Sequence, residues 1–160
     1  MTQQLSNEHR WLSRLVGDWT YETEAFPVPG EPSIKDGGTE HVRSLDGVWI
    51  VCEGRGAMPD GRMATTLMTI GYDDAKARCV GTFVGTMMPT LWVYEGTLDT
   101  ATDTLKLYSE GPSFIEEGAL GKYMDVTELQ TDDHRVFSSF YLDGSGAWER
   151  FLTSHYHRTK

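Results

Sequence analysis

Long apolar runs, cysteines and prolines are all scarce in this sequence of 160 residues. No apolar stretch is long enough to cross a bilayer, and none follows a basic N-terminal region as it does in a secretory signal. The only cysteines, Cys52 and Cys79, lie far apart and lack the spacing of a zinc site. We therefore expect a cytoplasmic protein with two free thiols, because disulfides are rare in that compartment.

Basic residues are also few. The chain has 14 lysines and arginines against 24 acidic residues, so its net charge is −10. Arg62 and segment 76–78 are scattered and have acidic neighbours, and no basic cluster forms. Because nucleic acids and anionic membranes repel a chain of this charge, we expect neither as a partner.

The sequence lacks the motifs of the common enzyme classes. It has no Gly-x-Ser-x-Gly elbow, phosphate-binding loop, dinucleotide fingerprint or zinc-finger spacing. We therefore assign no catalytic residue, expect no metal or other cofactor, and favour a protein that is not an enzyme.

The feature around which the chain is organised is the stretch from Leu15 to Tyr21. An amphipathic helix precedes it, with Ser6 or Asn7 as the N-cap and an end near Val16. Gly17 then supplies the left-handed stop that helix ends prefer. We expect this helix to cover one end of a sheet or barrel.

The remainder alternates strand-like runs with turn signals. Glycine is plentiful, with 17 residues, and pairs such as Asp46-Gly47 and Asp132-Asp133 recur, which is typical of an all-β meander. The pattern predicts about ten strands. They are Thr20–Phe26, Gly38–Leu45, Val48–Gly56, Ala64–Tyr72, Arg78–Thr86, Thr90–Leu98, Thr104–Ser109, Lys122–Leu129, Arg135–Leu142 and Ala147–His157.

So many antiparallel strands must close or fold over to protect their edges. A single antiparallel β-barrel fits best, and a two-sheet sandwich is the alternative. The length favours one domain, residues 1–160. A barrel of this size can hold one small ligand.

Five short segments resemble a bacterial family catalogued as a domain of unknown function, numbered 1579. They are Leu15–Trp19, Gly38–Glu40, Gly71–Asp73, Leu91–Gly96 and Tyr156–Arg158. The resemblance covers nearly the whole chain and implies a lipocalin-like (calycin) or fatty-acid-binding-protein-like barrel without an established reaction. It also implies that Trp19 closes the barrel floor and that Arg158 lies across it as a cation–π partner.

A group of aromatic and methionine residues in the middle of the chain suggests an apolar pocket, because methionine adapts to irregular cavities. Trp92 and Tyr94 are two residues apart and so share one face of a strand. Plain core packing or a dimer interface would explain the same residues. The predicted ligand-lining residues are Tyr21, Arg43, Met68, Phe83, Trp92, Tyr94 and Tyr123.

His155 and His157 share one face of the last strand. Such a pair could bind a metal if a neighbouring strand supplied a third ligand. The nitrobindin-like barrels bind haem through a histidine in this region, but the glycine-rich surroundings of their first strand are missing here. Exposed edge histidines are the commoner outcome, so we predict no metal site.

We therefore predict a small-molecule-binding barrel with an apolar or mixed ligand and no catalytic activity. One alternative is an enzyme that acts on a small metabolite inside the barrel, which would need acidic or histidine side chains converging there. The other is a dimerisation or interaction module that uses an apolar strand face such as Leu91–Val93. We also expect a homodimer, because exposed apolar strands favour pairing.

Overall fold

The computed structural model describes residues 4–26, 30–58 and 60–160. There the chain forms one short helix and ten strands. They are α1 (Asn7–Ser13), β1 (Gly17–Ala25), β2 (Ile34–Leu45), β3 (Trp49–Ala57), β4 (Met63–Asp73), β5 (Arg78–Gly85), β6 (Met88–Asp99), β7 (Thr104–Pro112), β8 (Leu120–Thr131), β9 (His134–Leu142) and β10 (Trp148–Arg158). No helix in these ranges is long and apolar enough to cross a membrane.

Helix α1 begins as predicted and ends earlier. The Ser6 side chain accepts the backbone N–H of His9, and the His9 ring accepts the backbone N–H of Ser6, which makes a reciprocal N-terminal cap. The helix ends at Ser13 because Leu15 and Val16 bond to carbonyls three residues back, a tighter turn than the α-helix. Gly17 opens β1 with φ of 140°.

The strands form a closed antiparallel barrel, which confirms the predicted meander. Each strand pairs with its neighbours in sequence, and β1 also pairs with β10, where Trp19 lies opposite Arg158. The β2–β3 hairpin turns at Asp46 and Gly47, whose positive φ values of 52° and 77° are those of a type I′ turn. Because β1 and β10 pair with each other, neither the first nor the last strand has an unpaired edge.

The two ends of the barrel differ. Helix α1 covers the end that we call the floor, and turns 74–77, 100–103 and 132–133 surround it. Buried apolar side chains fill the barrel there: Leu12, Leu15, Trp19, Val42, Ile50, Leu105 and Leu129. The opposite end, which we call the mouth, carries the loops 113–119 and 143–147.

Both cysteines are unpaired, as predicted, and the structure buries both. Cys52 on β3 and Cys79 on β5 belong to the core. Burial raises the pKa of the Cys79 thiol to about 12, so this thiol is protonated and unreactive at neutral pH.

Candidate functional site

The barrel is hollow between its solid floor and its mouth. A cavity of about 390 Å³ lies among inward-facing side chains of most of the strands. Much of its wall is apolar, with Met58, Met68, Phe83, Met87, Phe137 and Leu152 among the lining residues. A wider groove of about 520 Å³ runs along the outside of β1, β2 and β10, but it is open and flanked by charged side chains. The interior cavity is therefore the better candidate for a specific site.

Arg135 on β9 is the basic residue of the cavity wall. Its side chain is only 6% exposed and forms an ion pair with Glu40 of β2. The guanidinium carbon lies 4.7 Å from the Trp19 ring centre and 3.9 Å from that of Tyr156. Arg135 Nε has no hydrogen-bond partner among the described residues. Charge pairing and stacking on two rings thus hold this cation in place.

Trp19 and Arg158 form the floor beneath Arg135. The Arg158 guanidinium lies 4.3 Å from the Trp19 ring centre. It also donates to three backbone carbonyls, at Arg14, Val16 and Asp132, with distances of 2.5–2.9 Å. The Trp19 indole N–H donates to the Leu15 carbonyl at 2.9 Å. These contacts tie the end of β10 to the helix and to the start of β1.

Asp125 on β8 is a second acidic group inside the barrel. One of its oxygens accepts the Tyr94 hydroxyl at 2.5 Å, and the other accepts the Ser139 hydroxyl at 2.7 Å. Burial raises the pKa of Asp125, and the hydroxyl donors oppose that shift. Burial also raises the pKa of Tyr94, and the Asp125 charge adds to this shift. The protonated carboxyl is therefore favoured here more than in water.

Tyr21 lies across two glycines in the cavity wall. A Cβ on Gly38 or Gly56 would collide with the Tyr21 hydroxyl, so only glycine leaves room for it. The Tyr21 ring lies 4.9 Å from the ring of Tyr156. Burial raises the pKa of Tyr21, and the nearby charges of Asp36 and Glu40 raise it further.

An aromatic cluster occupies one side of the mouth. Phe114, in loop 113–119, lies 5.1 Å from the Tyr123 ring centre and 5.0 Å from that of Phe151. Trp92 meets Tyr123 edge to face at 5.3 Å. Phe151 lies at a β-bulge, where the pairing of β10 with β9 shifts between Arg150 and Leu152. The cluster thus joins loop 113–119 to β6, β8 and β10.

The predicted lining residues fall into three groups. Tyr21, Met68, Phe83 and Tyr94 line the cavity. Trp92 and Tyr123 belong instead to the aromatic cluster at the mouth. Arg43 does not line the cavity, because Val42 beside it points inward and alternation turns Arg43 to the exposed outer face.

His155 and His157 lie on the outside of the barrel with His134. The His134 ring stacks on both, with centres 5.4 Å and 4.8 Å apart. His134 Nε2 lies 3.1 Å from His155 Nδ1, so these two nitrogens form a hydrogen bond with each other. No group of three or more histidine, cysteine or acidic residues in the described ranges has an arrangement suited to a metal ion.

Sequence reasoning overlooked Arg135 and left the direction of Glu40 and Asp125 open. Alternation alone places Arg135, Phe137 and Ser139 on one face of β9 without saying that this face is the inner one. The cue that could have decided it is pairing with β10, since Arg135 lies opposite Tyr156, which in turn lies opposite Tyr21.

A family model described as "Protein of unknown function (DUF1579)" matches residues 4–158. No curated protein matches the chain. The family match agrees with the segments that the sequence shares with that family.

Solved structures with this fold share little sequence with the chain. The crystal structure of Rv2717c from M. tuberculosis has a TM-score of 0.67 at 12% identity, covering 98% of this chain and 100% of the other. An S-type phycobiliprotein lyase from Guillardia theta has a TM-score of 0.60 at 15% identity, and the match covers 98% of this chain and 94% of the lyase. The structure of EF1p2_mFAP2b bound to DFHBI has a TM-score of 0.51 at 15% identity, and the match covers 96% of this chain and 100% of the other. At these identities the likeness extends to the fold alone.

Proposed function

The chain belongs to the DUF1579 family, and we propose that its barrel binds one small molecule that is largely apolar and carries a few polar groups. The hollow interior carries this proposal. Its volume of about 390 Å³ falls within the range of small-molecule sites, about 300–1,000 Å³. The buried carboxyl of Asp125 would orient the ligand within apolar walls.

Two proteins of the same fold support this proposal as analogies. One is named a phycobiliprotein lyase, and the other was solved with DFHBI bound. Fold likeness makes pocket binding plausible without indicating a ligand. The proposed ligand therefore rests on the cavity of this chain.

Titration with Nile red, a neutral dye that fluoresces in apolar surroundings, tests the proposal. Ala64 lines the cavity, and the adjacent Thr65 is exposed on the outer face. We expect saturable binding to the wild type and to Thr65→Phe, with binding lost in Ala64→Phe because the added ring fills the cavity. Thermal unfolding would verify that both variants fold. Equal binding by the two variants would contradict the proposal.

A reaction inside the barrel is the second candidate, favoured by the contact between Asp125 and Tyr94. Burial raises the pKa of this carboxyl, which brings it closer to the range that suits general acid–base chemistry. The test is to incubate the natural ligand, once isolated, with the wild type and with Asp125→Asn. A change in ligand mass that needs Asp125 would favour catalysis, and an unchanged ligand would favour binding alone.

We further propose a homodimer located in the cytoplasm. An exposed apolar area on the outer face of β6, β7 and β10 supports self-association, and it consists of Leu91, Val93, Tyr108 and Trp148. The cytoplasmic location is supported by the two free cysteines, which fit a reducing compartment. A mass of one chain by light scattering at high concentration would contradict the dimer.

A further inference from the structure

Carboxyl groups outnumber basic groups on the cavity wall. Asp36, Glu40 and Asp125 line it, and Arg135 is the one arginine or lysine that does so among residues 4–26, 30–58 and 60–160. The interior would therefore not attract an anionic head group. This imbalance bears on the chemical class of the ligand.

Arg135 is not available to neutralise an incoming anion. Its charge is already paired with Glu40, and both side chains are largely buried. Its guanidinium also lies over the rings of Trp19 and Tyr156. A ligand carboxylate would have to displace Glu40, which would leave that buried carboxylate without its partner.

Neither of the other two carboxyls pairs with a cation of residues 4–26, 30–58 or 60–160. Within these ranges Asp125 accepts hydrogen bonds from the hydroxyls of Tyr94 and Ser139 alone. Asp36 forms no side-chain hydrogen bond or ion pair with any residue in the described part of the chain. Burial raises the pKa of both carboxyls, as expected for acids without a neighbouring cation. Two carboxyl groups on the cavity wall can therefore pair with a cationic group of the ligand.

We infer that the ligand is a cationic amphiphile, an apolar body with a protonated nitrogen that pairs with a carboxylate of the cavity wall, Asp36 or Asp125. A protonated amine donates up to three charge-assisted hydrogen bonds, which these carboxylates can accept. The ring of Phe83, which also lines the cavity, can pack against the apolar body. This inference rests on the proposed function and assigns a ligand class to the same cavity.

The test compares decylamine, decanol and decanoate, which share a ten-carbon chain and differ in head group. Each compound is titrated against the complex with Nile red, the amine and the carboxylate below their micellar concentrations and decanol below its solubility limit. We expect decylamine to bind about tenfold more tightly than either of the others, because only its head group complements the carboxyls. A decanoate affinity equal to or above that of decylamine, or equal affinities for all three, would overturn the inference.

Variants separate interior recognition from the attraction of an acidic protein for amines. Asp36→Asn with Asp125→Asn should reduce decylamine affinity to that of decanol while decanol affinity stays unchanged. Glu53→Gln with Glu128→Gln removes the same charge from exposed outer positions and should keep the preference. Equal effects of the two pairs would overturn the inference. Failure of all three compounds and of Nile red would overturn the proposed function as well.

Discussion

The Tyr94 hydroxyl lies 2.5 Å from a carboxyl oxygen of Asp125, inside the barrel. No lysine or arginine of the described residues forms an ion pair with this carboxyl, so burial raises its pKa above the unfolded value of 3.8. The folded state then holds the proton at pH values where the unfolded state has lost it. Its stability therefore declines as the pH rises from about 4 through the folded pKa.

Asp125→Asn should remove this pH dependence. Only the wild type loses this proton-linked stability, so the unfolding free energy of the variant relative to the wild type should rise between pH 4 and pH 7. Urea unfolding across that range measures it. Glu53→Gln, an exposed control, should show the same change of unfolding free energy with pH as the wild type. A constant difference for Asp125→Asn would contradict the raised pKa.

Because Arg135 and Glu40 form a buried ion pair, the effects of replacing them on the unfolding free energy should be strongly coupled. Glu40→Gln leaves the guanidinium without its counter-ion and should lower the unfolding free energy by about 3–5 kcal/mol. Replacing both residues, as Glu40→Leu with Arg135→Met, should cost much less than the sum of the single changes. Glu95→Gln, which breaks exposed pairs with Lys76 and Arg78, should cost far less than Glu40→Gln, because solvent screens exposed ion pairs. Additive effects of the buried pair would contradict the coupling.

The contribution of Arg158 to stability should depend on the shape of its side chain as well as on its charge. Arg158→Lys keeps the charge but cannot reach all three carbonyls while covering Trp19, so we expect a loss of about 2–4 kcal/mol. Arg43→Lys, on the exposed outer face, should change stability by less than about 0.5 kcal/mol. Chemical denaturation of both variants checks this. Equal stabilities would show that Arg158 does not close the floor.

The stacked histidines should weaken the protein in acid. Burial lowers the pKa of His134 below 6.5, and the neighbouring His157 and His155 lower it further. The unfolded chain then takes up the proton first, so stability is lost as the pH falls through about 6.5. His134→Phe keeps a ring in the stack and should lose less stability between pH 7.5 and pH 5 than the wild type. Identical pH profiles would argue against this.

The barrel could be predicted because its signals are local. Turn pairs such as Asp46-Gly47 mark the hairpins, and all ten predicted strands overlap the observed ones within four residues at each end. The helix was predicted too long because Gly17 was interpreted as its C-terminal stop, whereas the chain tightens after Ser13 and Gly17 begins β1. Local turn chemistry decides such ends, and it is the least visible part of a sequence pattern.

The site was harder to predict because it depends on which face of each strand is inside. Arg43 and Val42 are neighbours, and only pairing with β3 and closure of the barrel place Val42 inward and Arg43 outward. The pair of Arg135 and Glu40 joins residues 95 positions apart. One chain without an alignment contains no signal for that contact, whereas strand periodicity fixes the alternation within each strand.

Native mass spectrometry of the protein purified from its own source would show whether the barrel interior holds a small molecule. We expect an added mass on the folded wild type that disappears on denaturation. Thr65→Phe should retain this mass and Ala64→Phe should lose it. A wild type that is detected only as the bare chain, or the same added mass on a folded Ala64→Phe variant, would contradict binding in the cavity.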